Sequence, residues 1–210
     1  MKSVFYVIIR FLLYWPAKLI FRVRVRGRKN EPGREDGPYL VCANHQTVLD
    51  VIFMCVALRR QQPHFMAKEG LFRVPVLRRL VKWLGAFPVS RGRSDVGAIK
   101  HTLELLKSGR SAGMFPQGTR CAGKELRDCN VKAGAGMISA RSGVQVLPVY
   151  IDMKGHKWKF FRRVTVVIGE PITPEELAYD AEQSGEYARM TSVIYDRICA
   201  LEDSLKCPKQ

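Results

Sequence analysis

The 210-residue sequence predicts a single α/β domain, a mainly parallel sheet flanked by helices, behind an N-terminal membrane-associated helical segment. Two observations carry this. Short apolar runs of strand length alternate with stretches of helical length along most of the chain, and residues 3–21 form a mostly apolar tract whose only charges are basic. Hydrophobic residues at 47% and charged residues at 26% are ordinary for a folded protein and exclude a disordered, collagen-like or coiled-coil chain. The length suits one core, so the boundaries fall at 1–21 for the membrane-anchoring segment and 22–210 for the domain.

Taken in order, the first element is Ser3 to Phe21. Arg10, Pro16 and Lys18 interrupt its apolar run, whereas a membrane-crossing helix needs about 20 consecutive apolar residues, so it is expected to lie on a bilayer surface. Tyr6, Tyr14 and Trp15 suit the headgroup zone, and the first acidic residue of the chain is Glu31. A cleaved signal peptide fits poorly, because Arg10 lies within the run and no small-x-small cleavage pattern follows. The stretch Arg22 to Lys29 alternates basic and apolar residues; as a strand it would gather its arginines on one face, which could hold anionic lipid. The other reading is a buried first helix followed by a solvated charged strand.

After the Gly/Pro-rich turn at Glu31 to Pro38, Tyr39 to Ala43 reads as a strand and Leu49 to Arg60 as a helix. The pairing recurs at His64 to Ala67 with Val76 to Leu84, Ala86 to Val89 with Val96 to Lys107, and Ser111 to Phe115 with Ala133 to Arg141. Val144 to Ile151 and Val164 to Ile168 are further strands rich in β-branched residues, and Pro174 opens a closing helical region that runs towards Leu205. In such a sheet the reactive groups belong in loops beyond the carboxyl ends of the strands, where they converge on one crevice.

The formal charge of +16 calls for an anionic partner: nucleic acid, a phospholipid surface or an acidic carrier. None of the six cysteines forms a C-x-x-C pair, so they are expected to be reduced thiols facing the cytosol rather than metal ligands or redox centres.

The residues that carry chemistry begin at Asn44 to Asp50, where a histidine directly follows the first core strand and an aspartate stands five positions later. On one continuous helix five residues turn about 140°, which would splay the two side chains apart. They meet only if His45 lies in the turn before the helix. Asp50 on one ring nitrogen would then fix the tautomer and leave the other nitrogen to take a proton. Spacing alone favours an unconnected turn histidine and helix-opening aspartate. Phe115 to Arg120 follows another strand: Gly118 frees the backbone, Thr119 offers a hydroxyl and Arg120 a fork for phosphate. Arg91 and Lys68 stand at two further strand ends. Each could be a solvated basic residue at a loop mouth, although three such residues at three successive strand ends beside a candidate base suggest an anion site.

Two decoys are rejected. Gly109 to Gly113 spells G-x-S-x-G, but the hydrolase elbow needs a strand before it and a helix after, and here the order is reversed. Gly118 to Lys124 nearly spells a P-loop, but Glu125 occupies the position of the magnesium-binding hydroxyl.

Together these segments resemble the glycerolipid acyltransferase family, with its ordered blocks NHxxxxD, GxFxxxR, FPEGTR and an apolar block with a central proline. They stand here at Asn44 to Asp50, Gly85 to Arg91, Phe115 to Arg120 and Val146 to Val149, within a match from roughly Arg22 to Pro171. The resemblance implies that family's fold and a membrane-associated O-acyltransferase, peripheral or monotopic on the cytoplasmic face. It implies that an acyl group passes to the sn-2 hydroxyl of 1-acylglycerol 3-phosphate, giving phosphatidate. His45 would be the base and Asp50 its orienting partner. Arg91, Gly118, Thr119 and Arg120 would hold the acceptor's phosphate, and Lys68 would bind phosphate or steady the oxyanion.

No metal or cofactor is implied; acyl-CoA, acyl carrier protein or acyl phosphate would be the donor. One departure matters: Gln117 stands where the family has glutamate, keeping a carbonyl that could orient a neighbour or a substrate hydroxyl. It leaves glycerol 3-phosphate or another lysophospholipid open as acceptor. Val131 to Met137 resembles the family's lysine-glycine stretch that opens the helix after the third block; its small residues are expected to serve close packing, although such a helix start could also add backbone N–H groups to an anion site. A non-catalytic basic module binding lipid or nucleic acid is the rival of another class, but no nucleic-acid motif accompanies the charge.

Overall fold

Tyr39–Ala43 has no charged side chain and is buried along its whole length, as a central parallel strand should be. A computed structural model describes residues 4–89, 96–157 and 159–206 and makes this segment β2 of a seven-stranded sheet. The other strands are β1 (Arg24–Arg26), β3 (His64–Lys68), β4 (Phe87–Val89), β5 (Ala112–Met114), β6 (Gln145–Met153) and β7 (Val164–Ile168). Their order across the sheet is β1-β7-β6-β2-β5-β3-β4. Every neighbouring pair is parallel except β6 with β7, which run antiparallel.

Strand alternation sorts the core into two layers. Tyr39, Val41 and Ala43 pack with Phe53, Phe65, Leu147 and Val166 on one face, under α1 (Val4–Ile20), α2 (Asp50–Ala57) and α3 (Pro75–Trp83). Leu40 and Cys42 pack with Leu106, Ile138, Tyr150 and Ile194 on the other, under α4 (Val96–Lys107), α5 (Gly134–Ser142) and α7 (Glu186–Lys206). At the α5–α7 crossing a Cβ on Gly136 would lie 2.1 Å from the Tyr187 carbonyl oxygen, so the small residues after Lys132 do serve close packing.

Two expectations are corrected. Arg22 to Lys29 is not one strand: β1 covers three residues, Gly27 turns into the left-handed region at φ 71°, and Arg28–Asn30 wind into a 3-10 turn. Only glycine fits that turn, since a Cβ on Gly27 would come 2.0 Å from the carbonyl oxygen of Ile168. The closing helical region is also broken, into α6 (Pro174–Leu177) and α7, because Ala178 adopts a left-handed conformation. Arg189 stabilises the break by donating to the carbonyl oxygens of Leu177 and Ala178.

Helix α1 is apolar on both sides. Tyr6 and Ala17 are buried against the domain, while Val4, Phe5, Val7, Ile8, Phe11, Leu12, Trp15 and Leu19 are exposed. Among the described residues no helix is long and apolar enough to cross a membrane. Beneath α1, the buried carboxylate of Glu31 accepts from the backbone N–H groups of Arg59, Arg60 and Gln61, which follow the end of α2. It therefore satisfies three backbone donors of the segment that follows the helix.

Candidate active site

Asn44 continues β2 by one rung without being strand. Its Nδ2 donates to the Ile151 carbonyl oxygen at 3.0 Å and its Oδ1 accepts from the Ile151 N–H at 2.7 Å, so its side chain imitates a backbone pairing to β6. The chain then turns, and α2 starts only at Asp50, the first helical residue. His45 consequently lies outside the helix and the two side chains meet: Nδ1 stands 2.8 Å from Asp50 Oδ2. Asp50 is fully buried, and its carboxylate also accepts from the N–H groups of Gln46 (2.7 Å) and Thr47 (2.8 Å) and from the Thr47 hydroxyl (2.8 Å). Four donors around one carboxylate fix its position before any substrate arrives. Because a carboxylate accepts, Nδ1 carries the hydrogen and Nε2 is the nitrogen left to take a proton.

The ring is held from its face as well. His45 stacks on Phe115 at 4.0 Å between centroids with 13° between planes, and Phe115 stacks in turn on Phe65 at 6.1 Å. Phe65 lies over Gly113 of β5, where a Cβ would fall 2.2 Å from its ring.

The backbone of His45 is clamped by the segment after β5. Its N–H donates to Gln117 Oε1 at 2.8 Å, and its carbonyl oxygen accepts from the Cys121 N–H at 2.8 Å. Gln117 is buried, and its Nε2 donates to the Tyr195 hydroxyl on α7 at 3.1 Å, which donates on to the Leu126 carbonyl oxygen at 2.9 Å. Since that hydroxyl spends its proton on Leu126, it needs a donor facing it, which an amide supplies and a carboxylate would not. Gln117 thus orients a neighbour.

Gln117 and Cys121 also form one wall of an open cleft of about 390 Å³, lined further by Thr119, Arg120, Lys124 and Lys132. Gly118, at φ 67°, makes the turn that exposes Thr119 and Arg120, and a Cβ there would press on the Lys132 side chain at 3.1 Å. Four of the anticipated site residues, His45, Gly118, Thr119 and Arg120, are therefore gathered at the carboxyl ends of β2 and β5, with Asp50 directly beneath His45. Of the anticipated residues only Thr119 and Arg120 line the cleft itself; Lys68 is exposed at the end of β3, two strands from β2. Arg91 lies outside the described residues.

Sequence reading missed Lys124 and Tyr195 and took Lys132 only as part of a packing stretch. The two lysines belong to a loop with no periodicity. Tyr195 is 78 residues from Gln117 in the closing helical region, and nothing in the sequence signals that bond. Burial, followed by the neighbouring Cys129 thiol, pushes the Cys121 thiol up to about 11, so it stays protonated at neutral pH and is a poor nucleophile.

The family model described as Acyltransferase matches residues 22–152. Similar curated proteins include the 1-acyl-sn-glycerol-3-phosphate acyltransferase of Bacillus subtilis, 30% identical over 185 residues that cover 87% of this chain and 89% of that protein. That of Streptococcus pneumoniae is 35% identical over 141 residues, covering 66% of this chain and 51% of that protein. A chloroplastic relative of the same name in Arabidopsis thaliana is 34% identical over 131 residues, covering 61% and 35%. The chain thus spans most of the Bacillus protein but only a third to a half of the other two. The crystal structure of the 1-acyl-sn-glycerophosphate acyltransferase PlsC from Thermotoga maritima shares the fold, with a TM-score of 0.66 over the whole of both chains at 22% identity.

Proposed function

The chain belongs to the acyltransferase family, and on that premise we propose that it is a membrane-associated 1-acylglycerol-3-phosphate O-acyltransferase, making phosphatidate from an acyl thioester. The observation that carries the chemistry is the 2.8 Å contact of His45 Nδ1 with a fully buried Asp50. His45 Nε2 takes the proton of the sn-2 hydroxyl as its oxygen attacks the thioester carbonyl carbon. The tetrahedral intermediate expels the thiolate, which receives the proton from His45, so acyl group and proton exchange places without a covalent enzyme intermediate. The protonated Cys121 fits this direct path.

Gly118, Thr119 and Arg120 hold the acceptor's phosphate in the cleft, joined by Lys124 and Lys132. Arg91 and Lys68 keep the roles the family resemblance implies, phosphate binding and oxyanion support. Gln117 is tied at both ends of its amide to His45 and Tyr195, so its exchange for glutamate argues no longer for a different acceptor. The exposed apolar side of α1 rests in the interfacial zone of the bilayer, as a helix too short and too interrupted to cross would. Cys42, Cys55, Cys121, Cys129 and Cys199 are free thiols, in keeping with a cytoplasmic face.

The test offers purified protein in mixed micelles 1-acylglycerol 3-phosphate, glycerol 3-phosphate and other lysophospholipids, with acyl-CoA or acyl carrier protein as donor. Phosphatidate from the first acceptor alone is expected. His45→Ala should lower turnover by roughly 10²- to 10⁴-fold, the range of general-base catalysis, with an unchanged near-UV circular dichroism spectrum. Equal turnover by His45→Ala would sink the mechanism, and transfer to glycerol 3-phosphate alone would sink the acceptor assignment.

A further inference from the structure

A second charged cleft, of about 430 Å³, opens between α1, β1 and the carboxyl end of α2. Lys18, Arg24, Arg26, Arg28 and Arg59 line it beside Tyr14, over a floor of three valines, and no carboxylate is in its wall. It lies apart from the catalytic cleft. β1 is the edge strand, three strands from β2, which at about 4.8 Å per strand is roughly 14 Å.

Two of the guanidinium groups in this cleft are held in place. Arg28 donates through Nη1 to the Ala57 carbonyl oxygen at 3.0 Å, and Arg59 lies over the Tyr14 ring at 5.2 Å. Burial and then the neighbouring Arg59 guanidinium lower the pKa of Arg28, against the smaller opposing effects of Tyr14 and Glu31. Glu31, the carboxylate that acts on Arg28, has its oxygens turned to the backbone N–H groups of residues 59–61. Arg24 and Arg26 are exposed on the free edge strand.

What distinguishes the cleft from a merely basic surface is its place on α1. Tyr14 and Lys18 are one turn apart on a strip bordering the exposed apolar face: Tyr14 is three positions from Phe11, and Lys18 three from Trp15, both exposed. We propose that this cleft binds the phosphate-bearing headgroup of an anionic phospholipid, whose acyl chains run along the exposed apolar face of α1. Phosphate is held by guanidinium forks while the valine floor and Tyr14 take the glycerol region. The site then recognises a single lipid molecule, beyond the general attraction of a +16 chain to an anionic surface. It needs no catalytic residue.

Titration calorimetry of the full chain with dihexanoyl phosphatidylglycerol, kept below its micelle concentration, tests this without a bilayer. Saturable binding is expected, weakened at least tenfold in Arg24→Gln/Arg26→Gln and in Lys18→Gln, and unchanged in Lys132→Gln of the catalytic cleft. Dihexanoyl phosphatidylcholine and inorganic phosphate should each bind at least tenfold more weakly. No binding by the folded parent chain would overturn the proposal. So would loss in Lys132→Gln, retention in both cleft variants, equal affinity for inorganic phosphate, which would make it a free-anion site, or equal affinity for phosphatidylcholine. A variant whose thermal midpoint has fallen is set aside in favour of the other. No turnover is measured, so the result is independent of the acyl-transfer reading.

Discussion

Glu31 is 2% exposed and receives three backbone N–H groups together with the Tyr39 hydroxyl, so replacing it leaves these donors without their acceptor. At 1–3 kcal/mol for each buried group left unpaired, with partial relaxation, Glu31→Ala should cost about 3 kcal/mol of stability in urea denaturation. A loss under about 0.5 kcal/mol would mean that water replaces the carboxylate. His64 makes a pH-dependent contribution of the opposite kind. Burial disfavours its charged form and lowers its pKa from the ordinary 6.5, while Nδ1 donates to the Ser111 carbonyl oxygen at 3.2 Å. The unfolded chain then binds the proton first, so this contribution is present above pH 6.5 and is lost as the pH falls towards the folded-state value. Urea midpoints should drop between pH 7 and 5. His64→Asn, which keeps a donor near Ser111, should flatten part of that drop; identical slopes would refute the assignment.

At the scale of elements, the site depends on strands that never touch substrate. Gly113 of β5 leaves room for Phe65 of β3, whose ring supports Phe115 and through it His45. Gly113→Ala would place a methyl 2.2 Å from the Phe65 ring, and a packed core yields to such overpacking at a cost of about 1–3 kcal/mol. The variant should lose stability by that amount and lose kcat more than KM, because the displaced ring aims the base. Unchanged turnover beside the expected stability loss would show that Phe115 does not aim His45. The break between α6 and α7 belongs to this scale too, since it sets the position of α7 and with it Tyr195, the far anchor of Gln117.

For the whole molecule, charge and apolar surface act together. Eight large exposed apolar residues on α1 and a formal charge of +16 predict binding to vesicles containing phosphatidylglycerol. Salt at 0.5 M should weaken this binding without abolishing it. Phe11→Glu/Leu12→Glu should lower partitioning by about 100-fold or more, since burial of each such side chain is worth about 1.5–3 kcal/mol. Partitioning unchanged in that variant would remove α1 as the membrane contact.

Periodicity, charge and block order sufficed for much of this. The alternation of strand and helix located β2, β7 and α4 to the residue, because each element writes its own geometry into a short stretch of sequence. The need for His45 to precede the helix followed from 3.6 residues per turn, and α2 indeed begins at Asp50. Folding in three dimensions decided the rest. The antiparallel return of β7, the ending of β1 at Gly27, the helix break at Ala178, the nest around Glu31 and the path from His45 through Gln117 to Tyr195 all answer to partners far away in the chain. Such a partner carries no local signature. A buried polar group must be satisfied by whatever the closed fold brings beside it, and only the closed fold holds that information.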